Sequence, residues 1–137
     1  MQARTFEWVK INTGSWNRAG LDELAPKLGE AFSALDAKIE MIATQPSEKI
    51  GNNGSAETFE TGPVIRISSR PQAQTQIVMS GHYDTVFPPQ TFTEITDIGN
   101  DKFNGPGLAD MKGRLSVMPG ALPAFEAGPL KAIGSPH

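Results

Sequence analysis

A histidine and a carboxylate two residues apart, directly after an apolar run, make the first chemically capable group in this sequence: Ser80-Gly81-His82-Tyr83-Asp84-Thr85-Val86. On extended backbone, residues i and i+2 project to the same side, so Asp84 can lie behind or beside the His82 ring. A metal-bound imidazole commonly needs such a carboxylate, which fixes its tautomer and raises its basicity. The alternative for His82 is a hydrogen-bonded histidine at a strand end with no ligand. The second group is Asn104-Gly105-Pro106-Gly107-Leu108-Ala109-Asp110-Met111-Lys112-Gly113, where two glycines and a proline set a sharp turn that delivers Asp110 to the start of a helix. Its two carboxylate oxygens can bridge two cations. The alternative for Asp110 is a plain helix cap.

Elements able to position these groups are visible in the apolar spacing. Leu21, Leu24, Leu28, Phe32 and Leu35 recur at steps of three and four, which predicts a helix over 18–35 with Asn17 as its cap and Asp22 and Glu23 in its first turn. Pro26 is discordant there, because an internal proline costs about 3 kcal/mol. Lys38 to Ile42 and Val64 to Ile67 read as strands, and Gln45 to Ala56 as a loop. The run Ile77-Val78-Met79 within 76–80 predicts a strand buried on both faces, at whose carboxyl end His82 would sit, where ligands bind in open α/β sheets. Phe92 to Ile98 alternates as a strand does, and Asn100 to Asn104 reads as a turn into another. Leu115, Met118, Leu122 and Phe125 predict a last helix ended by Gly128 and Pro129, which Pro119 and Pro123 should bend or break. The architecture expected is a mixed α/β layer structure.

Composition narrows the chemistry further. The 137 residues suit one domain, and the 38% hydrophobic and 20% charged content is that of an ordinary soluble protein. No apolar run approaches a membrane span, and residues 1–10 carry no signal-peptide pattern, so no membrane association and a cytoplasmic location are expected. Twelve Lys and Arg against fifteen Asp and Glu give a net charge of -3, a poor footing for nucleic acid. Without cysteine, a metal must rely on nitrogen and oxygen ligands, and His82 and His137 are the only imidazoles.

Taken in order, the apolar run, Gly81-His82-Tyr83-Asp84-Thr85-Val86, a hairpin-like excursion and Gly105-Pro106-Gly107-Leu108-Ala109-Asp110-Met111-Lys112-Gly113 resemble the zinc-dependent peptidase and aminoacylase family of acetylornithine deacetylase and glutamate carboxypeptidase. Trp16-Asn17-Arg18-Ala19-Gly20-Leu21 and Ala124-Phe125-Glu126-Ala127 resemble its glutamate carboxypeptidase-like branch. The resemblance implies an α/β fold, a partial three-layer α/β/α catalytic domain of a zinc exopeptidase, with residues 1–137 forming its incomplete N-terminal part and the dimerisation domain absent. It implies two zinc ions, with His82 a ligand to one, Asp110 the bridging ligand and Asp84 the catalytic-site partner of His82. The Asp110-Met111 peptide bond would be cis. The activity implied is hydrolysis of amide bonds in N-acyl amino acids or small peptides.

Departures from that pattern are equally legible. Relatives carry an adjacent glutamate pair, general base and zinc ligand, after the last helix, and no Glu-Glu pair occurs in this sequence. Arg114 stands where a glycine is usual. Ile133-Gly134-Ser135-Pro136 resembles the segment that follows the glutamate pair in relatives, as an internal deletion would leave it. Zinc normally takes about four ligands, so His82 and Asp110 are too few for two tight sites. This chain is therefore expected to be inactive, and the alternative is a non-catalytic α/β remnant or a weak divalent-cation-binding module.

Overall fold

The structure is a computed structural model and describes residues 1–128. Helix α1, Gln2–Lys10, is followed by α2, Arg18–Ala31, which the 3/4 spacing foretold. Asn17 caps α2 through its side-chain oxygen, which accepts the Gly20 N–H. The helix ends at Ala31, short of Leu35. Because the helix starts at Arg18, Asp22 and Glu23 lie beyond its first turn, and Asp22 pairs instead with Arg18 one turn back at 2.6 Å. Pro26 lies inside the helix without ending it. Its lost hydrogen bond, about 3 kcal/mol, is offset by burial of Leu21, Leu24 and Leu28 around it, each worth about 1.5–3 kcal/mol.

Strand β1, Lys38–Ile42, pairs antiparallel with β4, Val64–Ser68, in the register Ile39 opposite Ile67 and Met41 opposite Ile65. These residues face α2, whose Gly29 permits close approach: a Cβ there would meet Met41 Cε at 2.9 Å and Ile39 Cγ2 at 3.2 Å. The opposite face is polar, with Glu40 bound to Arg66 at 2.9 Å and Lys38 at 2.9 Å. Between these strands, the segment expected to be a loop forms a hairpin of β2, Ser47–Ile50, and β3, Ala56–Phe59. Its strands are mostly exposed, so they carry no apolar alternation from which a strand is read. Trp16 packs edge-on against Phe59 with ring centroids 4.0 Å apart.

Strand β5 is only the end of the predicted one, Thr96–Gly99, and turns through Gly99, Asn100 and Asp101, all at positive φ, into β6, Lys102–Asn104. A wide turn, Leu108–Lys112, then leads into α3, Gly113–Ala127. The three strand pairs are separate two-stranded ladders. The core is a cluster of Trp8, Leu24 and Leu28, against which Ile11, Ile65, Tyr83 and Leu115 pack. Among the described residues no helix is long and apolar enough to cross a membrane.

Two expectations are corrected here. Residues 76–80 are not a buried strand: they join no strand ladder among the described residues, and Ile77, Val78 and Met79 are 72%, 87% and 52% exposed. A buried strand needs hydrogen-bonding neighbours along its edges, and each of β1 to β6 pairs only with its own partner and not with this segment. A short apolar run cannot reveal whether such neighbours exist. Likewise Pro119 and Pro123 do not break α3, which continues through both to a cap at Gly128. The prolines leave the Leu115 and Pro119 carbonyls without helical donors, so the cost appears as weaker bonding rather than as an interruption. Pro123→Ala is accordingly expected to raise the stability by up to about 3 kcal/mol, seen as a higher urea midpoint. An unchanged or lower midpoint would show that the helix is not strained for donors there. The Ile133 to Pro136 resemblance lies outside the described residues.

Candidate functional site

His82 lies beyond the exposed 76–80 segment, where Gly81 admits the Met111 and Leu115 side chains: a Cβ at Gly81 would lie 2.7 Å from Met111 Cε. The His82 backbone N–H points at Met111 Sδ, 3.3 Å away. Beyond it, Thr85 forms a one-residue parallel bridge with Gly14, which fixes the chain just after Asp84. Asp110 comes from the wide turn. Gly107 enters that turn at φ 71°, a conformation that suits glycine, and the Asp110-Met111 peptide bond is cis, as the resemblance implies.

The structure brings all three site residues together. The His82 ring donates through Nδ1 to Asp84 Oδ1 at 3.1 Å and to the Asp84 carbonyl at 3.1 Å, and its Nε2 lies 3.1 Å from Asp110 Oδ1. They do not meet at neighbouring strand ends, since neither flanking segment is in a sheet. Asp110 is not a helix cap either, because α3 begins at Gly113 with no side-chain cap and the carboxylate faces the imidazole. Ser15 Oγ donates to the other Asp84 oxygen at 2.6 Å.

With an acceptor at each ring nitrogen, the imidazolium form of His82 is the one that satisfies both. Partial desolvation opposes the charged ring most strongly. It is outweighed by the bond to Asp110, the bond to the Asp84 carbonyl and the two carboxylate charges, so the His82 pKa is raised above its ordinary value. The ring therefore favours the folded chain while protonated, and that contribution fades as pH climbs through the raised value. The site is open: the side chains of His82, Asp84 and Asp110 are 48%, 40% and 83% exposed. Water thus screens every charge in it.

Lys112, two residues after Asp110, is the functional neighbour that sequence reasoning passed over. It is only 1% exposed, and its ammonium donates to the Trp8 and Ile11 carbonyls at 3.1 and 2.7 Å. Burial pushes it down to about 8 from 10.5. Between those values the unfolded chain binds more protons than the folded one, so stability should rise with pH over that window. Tyr83, whose hydroxyl donates to the Pro63 carbonyl, is pushed up to about 12 by burial and by the charges of Asp22 and Asp84, and it acts with the opposite sign above its ordinary value of 10. Urea midpoints should accordingly climb from about pH 8 toward pH 10, and Lys112→Met should flatten that climb; a profile flat in wild type would refute the buried charge.

Whether these residues suit two zinc ions is a question of donors. Two ligand atoms on one tetrahedral zinc lie about 3.3 Å apart at ordinary bond lengths, and His82 Nε2 and Asp110 Oδ1 are 3.1 Å apart. The pair thus converges as one cation requires. Asp84 is on the far side of the ring, and among the described residues no group of three or more His, Asp or Glu is arranged to hold a metal ion. The described residues do not fit a two-zinc centre. A cavity of about 790 Å³ adjoins the site, walled by His82, Tyr83, Ile65, Leu28, Leu115 and Phe125.

The architecture is shared with a solved structure. The crystal structure of human carnosine dipeptidase 1 matches 92% of this chain with a TM-score of 0.65 at 21% identity. The chain spans 28% of that protein's length. The likeness is one of fold: the chain shares the α/β architecture of the matched part of that structure. No family model matches the sequence, and no curated protein does.

Proposed function

We propose that this chain is a non-catalytic α/β module of the zinc-peptidase fold that holds at most one divalent cation, weakly, between His82 and Asp110. The observation that carries this reading is the facing of His82 Nε2 and Asp110 Oδ1 at 3.1 Å, with no third ligand beside them among the described residues. In this reading Asp84 orients the ring, and the chain corresponds to the front of a three-layer catalytic domain in the glutamate carboxypeptidase-like branch. A second reading, zinc-dependent hydrolysis of N-acyl amino acids or small peptides, is supported by the facing of His82 and Asp110 and the likeness in fold. It requires a base and further ligands that the described residues do not bring to the site.

Calorimetric titration of the chain with zinc tests the choice. Full four-ligand sites gain roughly 10–16 kcal/mol, so two ligands should supply about half, a Kd between about 1 and 200 µM. One ion per chain is expected, weakened at least about tenfold by His82→Ala or Asp110→Ala and unaffected by His137→Ala. Binding of two ions at nanomolar Kd would overturn the proposal in favour of the hydrolase.

A further inference from the structure

Both halves of the site are fastened to the same stretch of chain. At the C-terminal end of helix α1, the negative end of its dipole, the Trp8 carbonyl accepts the Ile11 N–H at 3.3 Å, and the Lys112 ammonium donates to that carbonyl and to the Ile11 carbonyl beyond it. Lys112 also closes the turn that carries Asp110, its backbone N–H reaching the Gly107 carbonyl at 2.8 Å. No carboxylate pairs with it among the described residues, so its ammonium is held by the end of α1 and the residue that follows it. Immediately after α1, residues 12–15 grip the other half. Thr13, fully buried, donates from Oγ1 to the Tyr83 carbonyl at 2.6 Å and accepts the Thr85 N–H at its own carbonyl at 2.8 Å. Ser15 accepts nothing from Asp84 but donates to it, and its backbone N–H reaches the Thr85 carbonyl at 3.0 Å.

We infer that α1 and the loop behind it are the frame that sets the spacing of the His82–Asp110 pair, with Lys112 positioning Asp110 and Ser15 positioning Asp84 and, through it, the His82 ring. The two halves are 28 residues apart in sequence, and no regular sheet joins them. The frame replaces the sheet edge that would otherwise hold them in register. Residues whose hydrogen bonds orient a ligand typically change metal affinity by about 10–100-fold when removed. Where the frame serves a cation, the inference rests on the cation-binding reading; as a statement about the spacing of the pair it does not.

The experiment reads the imidazole directly. In metal-free, ¹⁵N-labelled full-length chain at one fixed pH, the two ring nitrogens of His82 are observed by long-range proton–nitrogen correlation, with His137→Ala to assign them. Ser15→Ala should shift Nδ1 and leave Nε2 nearly unmoved. Lys112→Met, which keeps the length of the stem, should shift Nε2 and leave Nδ1. Each should also weaken zinc about tenfold. Ser15 lies at the edge of the fold, so its variant gives an answer even if Lys112→Met fails to fold. Ring shifts as described in a wild type that binds no zinc would sink the cation reading and leave the frame standing. Unmoved ring nitrogens in Ser15→Ala, or equal movement of both nitrogens in either variant, would overturn the frame, since a merely structural role moves the whole ring or none of it.

Discussion

Supplied with zinc, the purified chain is expected to hydrolyse N-acyl amino acids and small carboxypeptidase substrates no faster than a His82→Ala control. A positioned general base contributes about 10²- to 10⁴-fold to such reactions, and the carboxylates that line the cavity beside His82, namely Asp84 and Glu126, are both already engaged. Asp84 is engaged by the His82 ring and by Ser15. Glu126, the last glutamate in the sequence, is held by Arg70 at 2.7 Å. Asp110 is the remaining carboxylate at the site, and it is the would-be ligand. Its 83% exposure also removes the low-dielectric setting in which preorganised charges stabilise a transition state. The measurement is release of free amino acid across a small substrate panel, with zinc content determined after dialysis. Zinc-dependent turnover that disappears in both His82→Ala and Asp110→Ala would restore the enzyme.

The second large effect belongs to the core. Leu24 is fully buried at the centre of the Trp8, Leu24 and Leu28 cluster. Leu24→Ala should cost about 2–5 kcal/mol through lost burial and the cavity left behind. Small domains have only about 5–15 kcal/mol to lose, and few other side chains here share the load. A large drop in the urea midpoint is therefore expected, close to complete unfolding at 37 °C. Val78→Ala supplies the contrast. At 87% exposed it should alter stability by less than about 0.5 kcal/mol. Comparable losses in the two variants would mean that residues 76–80 are packed after all.

What the sequence revealed was whatever depends on local spacing. The leucines of α2 announce their helix because every third or fourth one must face Trp8 and the β1–β4 ladder. The isoleucines of β4 announce a strand because alternate ones meet α2. His82, Asp84 and Asp110 were legible as a group through the resemblance, and so was the cis bond. The order of residues hides what depends on partners elsewhere. Helix α1 has only Thr5, Trp8 and Val9 buried, too few to stand out. The β2–β3 hairpin has hardly any apolar face. Residues 76–80 have the composition of a central strand, but hydrogen-bonding neighbours, not composition, make one. Lys112 sits in the quoted motif, yet its burial against Trp8 spans 104 positions and leaves no local trace.

Those long spans also fix the order in which the molecule can assemble. Arg4 and Thr5 meet Ser116, and Trp8 meets Lys112, across separations of 112, 111 and 104 residues. Closing a loop of that length is entropically dear and slow, and it cannot begin until the distant segment exists. On a ribosome, then, α1 is made well before the segment that secures it. It leaves the exit tunnel with its tryptophan only partly sheltered, by α2, and waits for more than a hundred further residues to be translated before the lysine that ties down its end can arrive.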